Sequence, residues 1–334
     1  MCTSRIVSLQ KNKNGCARYM DVSLVNEYVG WQAGRISSPL WEECVPVPED
    51  FPLRVDTILE HNHAFERYVY MFRDEITDFE FESVMMMLLC AKDRCGGITY
   101  TCKCGEMSFV PFRCHSRVCP RCGKRHAEKW GRELMRRFLP VPHRHVIFTL
   151  PEVIWALIGE NQEVLVNDMF EAAKTVMLRL FEDRYNHMPV KPGIICIIHY
   201  TGRDMKYNPH IHMLVTEGGL TKKGVWKKHS YWPYQTMCAY WKYEVLKRFR
   251  YHMRHSLEAK ALIDQQQKQR FNNQTNGYVV KNYRDVLDVK GLGSYLARYV
   301  RHPPIGESRI LAFNGEEIKI KYEWDNQLHT TSIT

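Results

Sequence analysis

Seven of the twelve cysteines of this chain lie in one short stretch, between Cys90 and Cys122. Thiols at this density lie close together in the fold, either as disulfides or as ligands of a shared ion. Residues 1–15 are polar and basic and lack the apolar run of a signal peptide, and no later run approaches the length of a membrane span. We therefore expect a cytoplasmic protein without membrane contact, in which reduced cysteines favour metal binding.

The spacing of these cysteines predicts a structural zinc site. Cys119-Pro-Arg-Cys122 precedes a glycine, which is typical of a zinc knuckle whose turn directs two thiolates at one ion. A second pair has one intervening residue instead of two. Four thiolates would leave zinc no open position, so its role would be structural. The leading ligand set is Cys102, Cys104, Cys119 and Cys122, with Cys114 and Cys90 as further candidates; the alternative is several free buried thiols.

The rest of the chain reads as an α+β protein. Apolar residues at helical intervals predict two helices before the cysteines and a basic amphipathic helix after them. Strand, helix, strand and strand then follow, which indicates an antiparallel sheet with helices on one face. The predicted elements are helices within 58–89, at 127–138, at 164–181 and within 234–263, strands at 145–150, 193–200 and 210–216, a solvated loop at 264–277, and a hairpin of 309–313 and 317–322 with a type I′ turn at Asn314-Gly315.

A pair of histidines opens the third predicted strand, in Asn208-Pro-His210-Ile-His212. Side chains two apart on a strand point to the same face, so His210 and His212 can reach one ion while Ile211 packs behind them. His199, at the end of the neighbouring strand, is the best third ligand; the alternative for each is a packed or backbone-bonded histidine. Imidazole ligands with open positions would let an ion polarise a phosphate oxygen.

Two tyrosines near the C-terminus, Tyr295 and Tyr299, have the i,i+4 spacing that places them on one face of a short predicted helix. Arg298 and Arg301 lie close enough in sequence to hold phosphates beside them. A phenolate that attacks a phosphodiester stores the bond energy in a phosphotyrosine, which permits rejoining without ATP. The alternative is core or interface packing, for which such a pair also serves.

The formal net charge of +10 indicates a polyanionic partner, because lysines and arginines release counterions when they bind phosphates. Several basic residues lie within and just after the cysteine stretch, Arg117 and Arg121 among them. We expect these arginines to contact DNA, although a solvated basic surface would have the same sequence. No nucleotide-binding P-loop is present, so any unwinding of DNA would depend on a host helicase.

Four segments together resemble the two-tyrosine HUH transposases of rolling-circle insertion sequences. They contain the cysteines up to Cys122, the motif Pro142-His-Arg-His-Val-Ile-Phe-Thr-Leu-Pro151, the motif around His210 and His212, and Tyr295-Leu-Ala-Arg-Tyr-Val-Arg. This resemblance spans residues 55–322. It implies a zinc-binding module followed by a ferredoxin-like nuclease core that cleaves single-stranded DNA at element ends with Mg or Mn.

Under this resemblance, His210 and His212 become metal ligands, and Tyr295 and Tyr299 become the nucleophiles. The expected domains are an extension at 1–54, a helical zinc-binding and DNA-binding module at 55–138, the nuclease at 139–322 and a tail at 323–334. The expected partners are single-stranded DNA of transposon ends and target, in the nucleoid of a bacterial or archaeal cell. Two alternatives stay open: a catalytically decayed or truncated zinc-dependent DNA-binding protein, and a plasmid rolling-circle replication initiator.

Overall fold

The computed structural model describes residues 3–6, 46–116, 118–136, 138–185, 190–269, 277–287, 305–324 and 326–334. Contacts divide the chain into two compact units. The first unit comprises residues 1–127 and 301–334, and the second comprises residues 128–300. None of the helices in the described part of the chain is both long enough and apolar enough to cross a membrane.

The first unit combines short helices with a small sheet. Thr77 begins the helix at Asp78–Leu88, α3, with a capping box, in which the backbone N–H of Glu80 donates to Thr77 Oγ1 over 3.3 Å and the N–H of Thr77 donates to the Glu80 carboxylate over 3.0 Å. The core of this unit includes Phe65, Val69 and the cysteine region. Its elements are β1 (Thr3–Ile6), α1 (Val55–Glu60), α2 (Ala64–Met71), α3 (Asp78–Leu88), β2 (Gly97–Thr101) and β3 (Met107–Pro111), and β2 pairs with both β1 and β3.

Helix α4 (Pro120–Met135) begins seven residues before the predicted start at Ala127. Proline suits the first position of a helix, because its fixed φ is helical and its missing N–H has no partner there. The consequence is that Cys122 lies in the first turn of α4 and not in a loop before it.

The second unit has the element order β-α-β-β-α-β. Within the described residues, the sheet order is β5-β6-β4-β8, every pairing is antiparallel, and a short strand extends β6. This is the ferredoxin-like arrangement, which confirms the predicted α+β core. Its elements are β4 (His143–Phe148), α5 (Trp155–Glu160), α6 (Gln162–Arg184), β5 (Val190–Thr201), β6 (Tyr207–Thr221), β7 (Trp226–Lys228), α7 (Tyr234–His252), α8 (Leu257–Lys268) and β8 (Val280–Leu287).

Strand β6 is paired on both sides, and its alternate residues point to opposite faces. Ile211, Met213 and Val215 are fully buried in the main core, which also contains residues of α5, α6, α7 and α8. His210 and His212 therefore lie on the other face, together with Leu214, which packs with Trp130 of α4 and its neighbours. Helices α5 to α8 cover one face of the sheet, and the histidine pair lies on the opposite one, where α4 also packs.

The long helical segment predicted at 234–263 is a pair of helices, α7 and α8. Ser256 begins α8 by accepting a hydrogen bond from the backbone N–H of Ala259 over 3.2 Å. Helix α8 continues to Lys268, so the predicted loop at 264–277 begins five residues too early. Polar glutamines are good helix formers, and they extend α8 although they carry little apolar pattern.

The C-terminal hairpin is confirmed, and its turn differs from the predicted one. Strand β9 (Ile310–Phe313) pairs with β10 (Ile318–Trp324) through the partners Phe313 and Ile318, which leaves a four-residue loop. Asn314 Oδ1 accepts backbone hydrogen bonds from residues 316 and 317 over 2.9 and 2.7 Å, and Gly315 has a φ of 104°. The asparagine side chain thus stabilises a longer loop than a type I′ turn. A third strand, β11 (Gln327–Ile333), pairs with β10.

Leu165 of α6 tests the main core of the second unit, because its side chain is 0% exposed. We expect Leu165→Ala to lower the free energy of unfolding by about 2–5 kcal/mol through lost burial and an unfilled cavity. The matched control is Leu257→Ala, since Leu257 is 85% exposed. Urea unfolding of both variants measures the difference. Equal stabilities would contradict the burial of this face of α6 in the main core.

Candidate metal centres

Four thiols converge in the first unit: Cys90, Cys114, Cys119 and Cys122. Their sulfur atoms all lie within 4.8 Å of one another, and Cys90 Sγ is 3.5 Å from Cys122 Sγ. A tetrahedral ion with Zn–S bonds of about 2.3 Å holds its sulfurs about 3.8 Å apart. The cluster therefore fits a zinc ion bound by four thiolates.

Each thiol of the cluster comes from a different position around α3, β3 and α4. Cys90 lies in the turn after α3, Cys114 follows β3, Cys119 precedes α4 and Cys122 lies in its first turn. The backbone N–H of Ser116 donates to Cys114 Sγ over 3.4 Å. Hydrogen bonds from Cys114 and Cys119 lower the pKa of the Cys90 thiol to about 4. These bonds favour a thiolate at Cys90, the form that binds zinc, and raise the pKa of Cys114, which acts as a donor.

The structure changes the leading ligand set that the sequence predicts. Cys119 and Cys122 are in the cluster, as are the two further candidates, Cys90 and Cys114, whereas Cys102 and Cys104 are exposed and outside it. The turn between β2 and β3 explains this, because the N–H of Cys102 donates to the Glu106 carbonyl over 2.8 Å and closes a tight hairpin. Cys102 and Cys104 lie at the tip of this hairpin.

Arg121, which the sequence predicts to contact DNA, lies beside the thiol cluster. Its guanidinium is 3.7 Å from Asp56 Oδ2, and Asp56 also pairs with Arg54. Asp56, Cys90, Cys119 and Arg121 line a shared small pocket. Arg121 therefore has an intramolecular partner in this structure. Arg117, the other arginine predicted there, lies outside the described residues.

Three histidines converge in the second unit: His199 of β5, and His210 and His212 of β6. One ring nitrogen from each lies within 4.8 Å of the others, and His199 is paired with His210 across the two strands. Nε2 of His210 is 3.1 Å from Nε2 of His212. Metal–nitrogen bonds of about 2.1 Å hold neighbouring nitrogens about 3.0–3.4 Å apart, so this donor set fits one ion.

Hydrogen bonds orient the rings of this histidine cluster. Nδ1 of His210 donates to the Asn208 carbonyl over 2.6 Å, which leaves Nε2 as the unprotonated nitrogen of the neutral ring. Burial lowers the pKa of His210 and, together with the neighbouring histidines, the pKa of His212. Neutral imidazoles with Nε2 directed into the cluster are what metal binding requires.

His145 of β4 is a fourth member of this region, and it is not among the residues predicted for this site. Its Nε2 lies 2.8 Å from Nδ1 of His212, and the two rings are nearly parallel and side by side, with centroids 5.0 Å apart. Burial lowers the pKa of His145 to about 3. His143-Arg-His145 repeats the alternation of His210-Ile-His212 on an adjacent strand, a pattern that could have identified it.

The nucleophiles predicted from the sequence, Tyr295 and Tyr299, lie outside the described residues. Arg298 and Arg301 lie outside them as well. The histidine cluster is therefore the part of the predicted nuclease site that the structure describes.

Two family models match separate parts of this chain. Residues 59–150 match a family described as "Transposase zinc-binding domain", and residues 193–334 match one described as "Putative transposase". The first segment contains the four-thiol cluster, and the second contains all three clustered histidines. The two geometrically defined clusters therefore fall in two transposase family segments.

Curated relatives agree with the family models. The chain is 33% identical over 159 residues to "Transposase for insertion sequence element IS801" of Pseudomonas savastanoi pv. phaseolicola. It is 27% identical over 164 residues to "Putative transposase y4qJ" of Sinorhizobium fredii. These matches cover 47% and 48% of this chain and 38% and 41% of the relatives. No solved structure matches this chain.

Two segments of this chain are therefore similar to transposase families, as the resemblance in its sequence predicts. The matches span about two fifths of the length of these relatives, so similarity to transposases is what they show.

The thiol cluster predicts which cysteines hold zinc. The unsubstituted chain should bind about one zinc ion. We expect Cys90→Ser and Cys114→Ser to bind much less zinc, because each removes one of four ligands. Cys102→Ser and Cys104→Ser are the controls and should retain it. Elemental analysis of the purified variants measures the zinc. Zinc loss in the Cys102 or Cys104 variant would restore the ligand set predicted from the sequence.

The hydrogen bond between His145 and His212 leads to a second prediction, which concerns the affinity of the histidine cluster for Mn²⁺. If His212 presents Nε2 to an ion, its Nδ1 carries the proton and donates to His145. His145→Phe should therefore weaken Mn²⁺ binding by about 10–100-fold, whereas His145→Gln, whose amide oxygen can accept this hydrogen bond, should weaken it less. Titration calorimetry measures both affinities. The control is His143→Phe, a buried position of the same strand, and an equal loss there would indicate a packing effect alone.

Proposed function

We propose that this chain is a transposase that nicks and rejoins single-stranded DNA at insertion-sequence ends through a 5′-phosphotyrosine intermediate. The observation that carries the proposal is the convergence of His199, His210 and His212 on one point of the sheet, in a chain with both transposase family segments. The described donor set suits a divalent ion with open positions, and a nuclease site needs such an ion.

His199, His210 and His212 would hold Mg²⁺ or Mn²⁺ at the edge where β5 and β6 meet. When bound, the ion would polarise a phosphate oxygen and offset the charge that develops during cleavage. His145 would keep the His212 ring in the tautomer that presents Nε2. Arg203 lies in the turn between β5 and β6, and its positive charge adds to the effect of burial in lowering the pKa of His212; it would contact the same phosphate.

Tyr295 and Tyr299 would be the nucleophiles. The phenolic oxygen of one tyrosine attacks the phosphorus atom, a tyrosyl O–P bond forms and the P–O3′ bond breaks. The phenol gives up its proton and the released 3′ oxygen gains one, so the step is balanced without a co-reactant. Rejoining is the reverse reaction, in which a 3′-OH attacks the phosphotyrosine. Two tyrosines would allow one strand to be held while a second is cut.

The first unit would contribute DNA binding through the zinc-stabilised module that precedes α4. Lys124 and Arg125, at the start of α4, are exposed and suit contacts with phosphates. Because the sequence has no P-loop, a host helicase would supply the single strand. A transposase of a bacterial or archaeal insertion sequence would act in the cytoplasm, at the nucleoid.

A covalent adduct tests this proposal directly. The purified chain is incubated with Mn²⁺ and labelled single-stranded DNA that carries an element end, and the products are separated on a denaturing gel. We expect an adduct that persists in the Tyr295→Phe and Tyr299→Phe single variants and is lost in the double variant, because either phenol can attack. His210→Ala should reduce the adduct by at least tenfold, since it removes a proposed ligand.

Two results would contradict the proposal in different ways. An adduct that forms equally in the double tyrosine variant would assign the nucleophile to another residue. Tight DNA binding without any adduct, with element-end DNA and either ion, would favour a DNA-binding protein without catalytic activity.

A further inference from the structure

The solvent-exposed face of α7 carries tyrosines and cations in alternation. Tyr243, Lys247, Arg250 and Tyr251 lie within roughly 100° of the helix circumference at 3.6 residues per turn, and Arg254 follows in the next turn. The opposite side of the helix is apolar and fully buried. We call Tyr243, Lys247, Arg250, Tyr251 and Arg254 the tyrosine–cation face.

Both tyrosines of this face are more than half exposed, and each has a cation over one face of its ring. Tyr243 is 57% exposed and Tyr251 is 64% exposed. The ammonium of Lys247 is 5.7 Å from the centroid of the Tyr243 ring, and the guanidinium of Arg254 is 4.7 Å from that of Tyr251. Such cation–π contacts hold the rings in place without covering them.

The charge of this region is positive. Residues 234–268 contain seven lysines and arginines against three acidic residues, Glu244, Glu258 and Asp264. Glu244 is buried, and Asp264 pairs with Arg250 over 2.6 Å. Lys247 and Arg254 are the cations in contact with the two rings, and their charge suits a polyanion.

We propose that the tyrosine–cation face binds single-stranded DNA by stacking unpaired bases on Tyr243 and Tyr251 while Lys247 and Arg254 contact the phosphates. This inference rests on the proposed function, which supplies the substrate class, and adds the surface that recognises its single-stranded form. Aromatic rings between cations are the usual platform for single strands, because every base has a π face. Paired bases in a duplex could not reach these rings.

The spacing of the two tyrosines suits this partner. Eight residues of helix separate them, which corresponds to about 12 Å along the axis. Stacked nucleotides rise by about 3.4 Å each, so one strand of three to four nucleotides spans both rings. An apolar protein partner would fit less well, since the cations beside each ring would be desolvated on binding.

Binding by the full chain tests this inference. The Tyr295→Phe/Tyr299→Phe variant serves as the parent, without Mn²⁺ or Mg²⁺, so that no strand is cut. Its affinity for a labelled oligothymidylate is measured by fluorescence anisotropy, alongside an abasic oligomer of the same length and charge. Tyr243→Ser/Tyr251→Ser should weaken thymidylate binding by about tenfold or more and leave abasic binding nearly unchanged. Tyr243→Phe/Tyr251→Phe should retain the parent affinity, because phenyl rings also stack.

The control is Tyr231→Ser, since Tyr231 is 63% exposed and outside the face, and it should bind as the parent does. An equal loss on thymidylate and abasic oligomers, or no loss on either, would overturn the stacking surface. The parent itself provides a measurement that depends on no further variant: it should prefer thymidylate to the abasic oligomer, and equal affinities would also overturn the inference. A parent that binds no single strand would contradict the proposed function as well.

Discussion

The antiparallel pairing of β6 with β4 on one side and β5 on the other determines the whole second unit. A side chain on any of these strands can point to only two faces, so burial of Ile211, Met213 and Val215 under the helices fixes His210 and His212 on the opposite face. The β5 register then places His199 beside His210, and the β4 register brings His145 within 2.8 Å of His212. A shift of one residue would bury the histidines and separate the cluster.

The two clusters differ in ways that match two kinds of ion. The thiol cluster is soft, largely buried and complete with four ligands, which suits a structural zinc ion. The histidine cluster has three ligands, two of which are partly exposed, and its rings are oriented by Asn208 and His145. An ion bound there would keep open positions for water or a phosphate oxygen. This division of roles supports the proposal of a zinc-stabilised module joined to a metal-dependent nuclease.

The strands and the candidate ligands could largely be predicted from the sequence, because hydrophobic periodicity and the spacing of cysteines and histidines are local properties. Alternation along Ile211, His212 and Met213 predicts both the strand and its buried face, and Cys119-Pro-Arg-Cys122 predicts a knuckle. The other two thiols of that site depend on tertiary structure. Cys102 and Cys104 are spaced almost like a second knuckle, yet a hairpin turn places them at an exposed tip. Cys90 instead joins the cluster from the end of α3. His145 could be assigned only after strand order and register were known. The exposed side of α7 likewise follows from which side of that helix packs on the core.

The central claim is that one chain holds two chemically distinct ions, and X-ray absorption at both metal edges tests it most directly. The protein would be loaded with one equivalent of Zn²⁺ and then with Mn²⁺. Our account predicts sulfur neighbours at about 2.3 Å around zinc, and only nitrogen and oxygen neighbours around manganese. Histidine nitrogen in place of sulfur at the zinc edge, or sulfur at the manganese edge, would contradict it.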